Sequence, residues 1–167
     1  MIKFGPAGNS LSFYEQGGKS TVQAMPWIAE LGLNAYEYSC GKGINVGEDT
    51  ALKIGAAAAE CGVEVSVHAP YYTNLANPFT DKREATNRYI IGALKVARLM
   101  GGSRVVFHPG AYMKREPSEC MDIALMQMRL LMRDIDAEGL GDMTVCPETM
   151  GKQMQLGTVD EVLALCS

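Results

Sequence analysis

The chain alternates short β-type segments with helix-type segments along its whole length, and this alternation constrains the fold more than any other feature. Five segments have the length and the residue types of strands: Ile2–Gly5, Asn34–Tyr38, Glu64–His68, Ser103–His108 and Met143–Glu148. Strict alternation of strands and helices predicts parallel strands joined by right-handed crossovers. We therefore expect an α/β fold built from five βα units.

The helices between these strands have recognisable start and stop signals. Ser20–Gln23 has the pattern of a capping box, Pro26 suggests that the regular helix begins only there, and Gly32 ends it. The others are expected from Glu48 to Cys61, from Thr80 or Asp81 to Met100 with Glu84 closing a capping box on Asp81, from Pro117 onwards, and from Thr158 onwards. The Pro117 helix carries an apolar stripe at helical spacing that is typical of packing on a sheet.

Two architectures accept this order of elements, a doubly wound sheet and a (β/α)₈ barrel. The first βα turn, Gly5–Ser10, is not a GxGxxG fingerprint, which disfavours a dinucleotide-binding fold. A barrel needs eight βα units and typically about 250 residues. This sequence has five units and stops within a helix, so we expect it to be a truncated piece of a longer protein.

Composition and charge narrow the class of protein. Hydrophobic residues make up 47% of the chain, and no apolar run is long enough to cross a bilayer, so a soluble cytoplasmic protein without a membrane partner is expected. The five cysteines are an odd number without a CxxC pair, which favours a reduced compartment over a disulfide framework. The net charge of −4 argues against a generally basic nucleic-acid surface, so positive charge would have to be local.

Three side chains at the ends of neighbouring strands predict a metal site. His68, His108 and Glu148 close the third, fourth and fifth expected strands, and the carboxyl ends of parallel strands carry the active sites of α/β folds. A single histidine at a strand end is more often a hydrogen-bonded structural group. Two imidazoles and one carboxylate together are a ligand set of catalytic zinc sites, which keep one position open for water.

Cationic and aromatic residues follow the same strand ends. They are Lys42, Lys114, Arg115 and Lys152, with Tyr36, Tyr38, Tyr71, Tyr72 and Tyr112. The cations could give an acidic chain a locally positive mouth, and the tyrosines could stack on bases or sugars. Charged surface loops and a tyrosine-rich barrel rim explain the same residues, so both interpretations stay open.

Three motifs in one order resemble endonuclease IV. They are Ser66–Ala76 with its HAPYYTNLA sequence, Val105–Tyr112 with its HPG sequence, and Pro147–Lys152 with its PETMGK sequence, continued by Gln155–Val162. The resemblance covers essentially the whole chain and implies that residues 1–167 are the N-terminal portion of a single TIM barrel domain. It implies a zinc-dependent (β/α)₈ barrel with up to three zinc ions, which cleaves DNA on the 5′ side of abasic sites during base-excision repair.

The resemblance also implies roles for individual residues. His68 and His108 would bind one zinc, and Glu148 would bind the same ion, bridge it to a second and serve as the catalytic carboxylate. Tyr71 and Tyr72 would lie on a loop that enters the minor groove of DNA, and Lys42, Lys114 and Lys152 are the expected DNA-binding cations. The family's other ligands come from later strands that this sequence does not contain, so we expect one zinc ion and weak or absent cleavage by the chain alone.

Two other functions remain open. Sugar isomerases and epimerases use a similar barrel and also place metal ligands at strand ends. A non-catalytic half-barrel that associates with another copy of itself is the second alternative, because an unpaired piece of a barrel leaves strand edges open.

Overall fold

The structure is a computed structural model that describes residues 2–167. The helices are α1 (Leu11–Glu15), α2 (Thr21–Glu30), α3 (Glu48–Glu60), α4 (Thr80–Leu99), α5 (Pro117–Ala137) and α6 (Val159–Leu165). The strands are β1 (Ala35–Ser39), β2 (Glu64–His68), β3 (Arg104–Phe107), β4 (Gly110–Ala111), β5 (Thr144–Pro147) and β6 (Gln155–Leu156). Within residues 2–167, no helix is both long enough and apolar enough to cross a membrane.

Four strands form one parallel sheet in the order β1-β2-β3-β5, which confirms the predicted parallel βα architecture. The register places Ser39 beside His68, and His68 beside Val106. A second, two-stranded sheet pairs β4 with β6 in antiparallel orientation and was not predicted. It joins the loop that follows β3 to the loop that follows β5.

The two faces of the main sheet differ in chemistry. Val65, Val67, Val105 and Phe107 are buried on the face that α3 and α4 cover. The alternate residues form the other face, which we call the open face: Glu37, Ser39, Glu64, Ser66, His68, Arg104, Val106, Thr144 and Cys146. Since side chains alternate along a strand, polar residues of all four strands share this face.

The core lies between the sheet and the helices. Large side chains that are completely buried there include Met25, Ile28, Ile90, Leu94 and Phe107. The fourth expected helix is α5, and three residues of its predicted apolar stripe, Ala124, Met128 and Ile135, are buried, whereas Met132 is exposed. Met128 therefore fills the core as expected, but Met132 does not.

The predicted strand at Ile2–Gly5 is wrong as a regular strand. The chain there runs beside β1, with Asn34 N and Ala35 N both donating to Phe4 O and with an isolated parallel bridge from Ala7 to Glu37. Pro6 has no N–H, so the alternating donors of a ladder are missing. Gly5 approaches β1 so closely that a Cβ would overlap the carbonyl of Ala35.

Most predicted helix boundaries are confirmed, but three details differ. Helix α2 begins at Thr21 and contains Pro26 in its interior, because burial of Ala24 and Met25 keeps the preceding turn helical. Neither expected capping box forms, because Ser20 at the N-cap of α2 and Phe79 at the N-cap of α4 make no side-chain capping hydrogen bond. Helix α1 was not predicted.

Candidate metal centre

His68, His108 and Glu148 meet at the carboxyl end of the sheet. His68 ends β2, His108 follows β3 and Glu148 follows β5. The Nε2 atom of His68 lies 3.1 Å from Glu148 Oε2, and the Nε2 atom of His108 lies 3.2 Å from the same oxygen. The three potential ligand atoms all lie within 4.8 Å of one another. The structure therefore brings together the three side chains that the strand ends predicted.

Backbone carbonyls hold the other nitrogen of each ring. His68 Nδ1 lies 2.7 Å from Ala69 O, and His108 Nδ1 lies 2.9 Å from Tyr71 O. A carbonyl oxygen only accepts hydrogen bonds, so each Nδ1 carries a hydrogen and donates it. In the neutral rings this leaves the lone pair on Nε2, which faces Glu148.

The arrangement calls for a positive charge among these three groups. Two Nε2 lone pairs and a carboxylate oxygen are all acceptors, and acceptors about 3 Å apart repel unless a proton or a cation lies between them. Metal-binding histidines commonly donate their second ring nitrogen to a carbonyl or carboxylate, which fixes the ring. The donor set and its orientation fit a divalent metal ion. The side chains of His68 and His108 are 15% and 23% exposed, so the site is accessible from solvent.

Hydrogen bonds tie the loop after β2 to the loop after β3. Thr73 Oγ1 donates to His108 O over 2.8 Å, and Leu75 N donates to Pro109 O over 2.8 Å. Asn74 Nδ2 donates to Ala111 O, while the backbone N–H of Asn74 donates to Thr86 on α4. His108 is therefore positioned by the neighbouring loop as well as by its own strand.

The two-stranded sheet and helix α6 support the Glu148 side of the site. Glu148 N donates to Phe107 O over 2.9 Å, and Met150 N donates to Gly157 O over 2.7 Å. Glu161 caps α6 and accepts hydrogen bonds from Thr158 and from Tyr112 Oη. Burial raises the pKa of Tyr112 to about 12, and the hydrogen bond to Glu161 adds to this effect. Tyr112 is therefore a structural link between the loops.

The residues predicted to contact DNA lie in loops around the site. Tyr71 and Tyr72 are 52% and 42% exposed, and their rings pack edge to face. Tyr72 Oη donates to Lys42 O, which joins the loops after β1 and β2. Lys42, Lys114 and Lys152 are exposed and form no ion pair within residues 2–167.

Arg115 and Tyr36, two other residues noted from the sequence, have structural contacts instead, and Tyr36 lies within β1 rather than at its end. The guanidinium of Arg115 donates to the carbonyl of Ala76. Tyr36 is buried and its hydroxyl donates to Asn9 over 2.8 Å. Burial raises the pKa of Tyr36 to about 12, so it remains a neutral hydrogen-bond donor.

Glu37 was not singled out from the sequence, although it shares the open face with His68. Its carboxyl is partly buried, and burial raises its pKa; His68 opposes this effect and the negative charge of Glu148 reinforces it. The signal was present in the period-two pattern Tyr36-Glu37-Tyr38, which places Glu37 on the face opposite the two tyrosines.

Comparisons with known proteins agree with this architecture. A family model described as a xylose isomerase-like TIM barrel matches residues 25–167. An uncharacterized protein of Methanocaldococcus jannaschii is 34% identical over 168 residues, which cover 99% of this chain and 58% of that protein. A probable endonuclease 4 of Ureaplasma urealyticum is 33% identical over 92 residues, 54% of this chain and 29% of the relative.

A solved structure shows the same fold over nearly the whole chain. The crystal structure of a D-tagatose 3-epimerase-like protein superposes with a TM-score of 0.74 at 24% identity, over 98% of this chain and 60% of that one. The chain thus spans a little more than half the length of the M. jannaschii relative and of this structure. Its parallel sheet and helices correspond to part of a barrel, as the resemblance to endonuclease IV implies. The chain belongs to the xylose isomerase-like TIM barrel family.

Proposed function

We propose that this chain is part of a zinc-dependent endonuclease IV-type hydrolase that cleaves DNA on the 5′ side of abasic sites during repair. The convergence of His68, His108 and Glu148, with both Nε2 atoms facing one carboxylate oxygen, carries this proposal. Similarity to a probable endonuclease 4 supports the reaction type. The chain covers 29% of that relative, so the activity is proposed for a barrel with further βα units.

The ligand spacing supports zinc as the metal. Ligand atoms that lie about 2.0–2.1 Å from a tetrahedral zinc ion are separated from one another by roughly 3.3 Å. The observed separations from Glu148 Oε2 to the two Nε2 atoms are 3.1 and 3.2 Å. Two imidazoles and a carboxylate also leave one coordination position open, which is the arrangement of catalytic zinc sites.

The residues of the chain have separate roles in the proposed reaction. A zinc ion would supply a Lewis acid for the scissile phosphate and for an attacking water. His68 and His108 are held as ligands by the carbonyls of Ala69 and Tyr71, so they need no rearrangement. Glu148 Oε2 faces both rings, and the other carboxylate oxygen remains available for a second cation or for the attacking water.

The surrounding loops suit a polyanion. Lys42, Lys114 and Lys152 have no competing ion pair within the described chain, which leaves their charge available for phosphates. Tyr71 is half-exposed beside the site, and its backbone carbonyl already binds His108. A base or sugar that contacts Tyr71 or Tyr72 would therefore lie close to the metal.

Sugar epimerisation is the second candidate function. The fold of a D-tagatose 3-epimerase-like protein matches 98% of the chain. The free lysines and exposed tyrosines favour a large anionic substrate over a neutral sugar. The two functions therefore differ in whether abasic DNA or a ketohexose binds at the metal centre.

Metal analysis combined with DNA binding tests the proposal. The chelator-stripped chain is reloaded with zinc and analysed for zinc per chain, and its binding to a duplex with an abasic-site analogue is followed by fluorescence anisotropy. We expect one zinc per chain in the wild type and none in His108→Ala. We also expect a triple variant of Lys42, Lys114 and Lys152 to bind the duplex more weakly. The slope of the logarithm of its binding constant against the logarithm of the salt concentration should become shallower by up to about one for each lost phosphate contact.

Lys95→Gln is the control, because Lys95 pairs with Glu138 between α4 and α5, away from the strand ends. It should leave zinc content and DNA binding unchanged. Zinc retained by His108→Ala would mean that other groups, such as cysteines, bind it, and the site assignment would fail. Zinc-dependent binding of a ketohexose in place of abasic DNA would favour the epimerase function.

A further inference from the structure

The open face of the sheet carries two carboxylates below the metal ligands, and their surroundings differ. Glu64 in β2 is paired with Lys3 over 2.7 Å and with Arg104 over 2.8 Å. Glu37 in β1 makes no side-chain hydrogen bond or ion pair with any residue in the described range 2–167. One carboxylate is thus neutralised by its neighbours, and the other has no cation of its own.

The sheet register places Glu37 near the ligands without making it one of them. Glu37 lies beside Ser66, two residues before His68, and the next open-face residue of β1, Ser39, lies beside His68 itself. The charges of both His68 and Glu148 influence the carboxyl of Glu37. Glu37 does not belong to the group whose ligand atoms lie within 4.8 Å of one another. Its effect on a metal ion would therefore be electrostatic or exerted through intervening groups.

Charge balance gives Glu37 a function. A divalent ion held by two neutral imidazoles and one carboxylate leaves a net charge of about +1 in a site only partly exposed to water. An unpaired carboxylate on the same face would cancel that charge. A partly buried carboxylate without a partner is unfavourable for folding, and a nearby cation would relieve this cost.

We propose that Glu37 is a positioning residue of the metal centre, whose carboxylate neutralises the ion held by His68, His108 and Glu148 and increases its affinity. This inference rests on the metal site proposed above. It assigns a role to a residue of β1, outside the three strands that supply the ligands.

Zinc affinity measured by competition with a chromophoric chelator tests this role without relying on catalysis. We expect Glu37→Gln, which keeps the shape and removes the charge, to raise the zinc dissociation constant about 10-fold or more, the usual range for groups around metal ligands. Glu37→Asp keeps the charge and should retain most of the affinity. Glu64→Gln is the matched control, because it removes an equal charge from the same face next to Lys3 and Arg104.

The outcomes separate this inference from the proposed site. Zinc binding that is lost in His108→Ala but unchanged in Glu37→Gln would overturn the role of Glu37 and leave the three-ligand site standing. An equal loss of affinity in Glu37→Gln and Glu64→Gln would also overturn it, since any negative charge on the open face would then have the same effect. A wild-type chain that binds no zinc would overturn the metal site and this inference together. Far-UV circular dichroism of each variant establishes that it is folded.

Discussion

An imidazole has two nitrogens, and the group that holds Nδ1 determines what Nε2 can do. In His68 and His108 the carbonyls of Ala69 and Tyr71 take the Nδ1 hydrogen. The backbone therefore fixes the metal-binding tautomer without using an acidic side chain for this purpose. One consequence is that Glu37 does not accept a hydrogen bond from either histidine, although it lies on the same face as His68.

At the residue scale, we expect Glu37→Gln to stabilise the metal-free chain near pH 7. Burial raises the pKa of Glu37, with His68 opposing and Glu148 adding to the effect. A carboxyl with a raised folded pKa stabilises the fold fully below its ordinary value of 4.5, and this contribution is lost as the pH rises through the raised pKa. Near pH 7 the charged carboxylate therefore destabilises the metal-free protein, and glutamine removes this charge.

The thermal midpoint in the presence of a chelator measures this effect. We expect this midpoint to rise; in domains of this size ~1 kcal/mol corresponds to roughly 2–4 °C. The gain should shrink as the pH is lowered towards 4.5, where the wild-type carboxyl also becomes neutral. A variant that is less stable than wild type at neutral pH would show that the charge of Glu37 is satisfied in the metal-free state.

At the element scale, the loops after β2 and β3 are joined through Asn74 and Gly110. Gly110 opens β4 with a φ of 148°, a value that side-chain-bearing residues rarely adopt. A Cβ at this position would overlap the side-chain oxygen of Asn74, which accepts a hydrogen bond from Ala76 N. The glycine therefore allows the two loops to approach each other and to hold His108 between them.

We expect Gly110→Ala to destabilise the chain by about 1–3 kcal/mol, the usual cost of a strained backbone conformation. It should also weaken zinc binding, because displacement of Asn74 disturbs the loop that carries Tyr71 O, the partner of His108. Gly151→Ala is the control: it lies in the loop after β5, and a Cβ there meets no atom within 4 Å. Chemical denaturation of both variants measures the difference, and equal stability would refute the argument.

Elements and site were predictable from the sequence to different degrees. Strands β2, β3 and β5 were predicted from their length and residue types. The site was predicted because His68, His108 and Glu148 stand at the ends of these strands, and a parallel sheet brings the carboxyl ends of neighbouring strands together. The strand at Ile2–Gly5 was predicted wrongly, because its pairing is limited by Pro6 rather than by residue type. The Thr73 and Asn74 hydrogen bonds to the next loop, and the lack of a partner for Glu37, depend on three-dimensional register, which no local pattern contains.

At the scale of the whole molecule, the sheet has an open edge. The edge of β5 that faces away from β3 has no strand partner among residues 2–167. Beside it, a cleft of about 980 Å³ lies between α5, β5 and the end of α6, and its apolar lining includes Met128, Met132, Met143 and Leu165. Unpaired strand edges next to apolar surface favour association with another chain.

We expect the 167-residue chain to self-associate reversibly through this edge, and sedimentation velocity over a concentration series measures it. Met132→Glu places a charge in the cleft and should shift the chain towards monomer, because association would then bury that charge. Met126→Glu is the matched control, since Met126 is an exposed methionine of the same helix that does not line the cleft. A wild-type sedimentation coefficient independent of concentration would contradict the expectation. Equal effects of the two variants would place the contact elsewhere on α5.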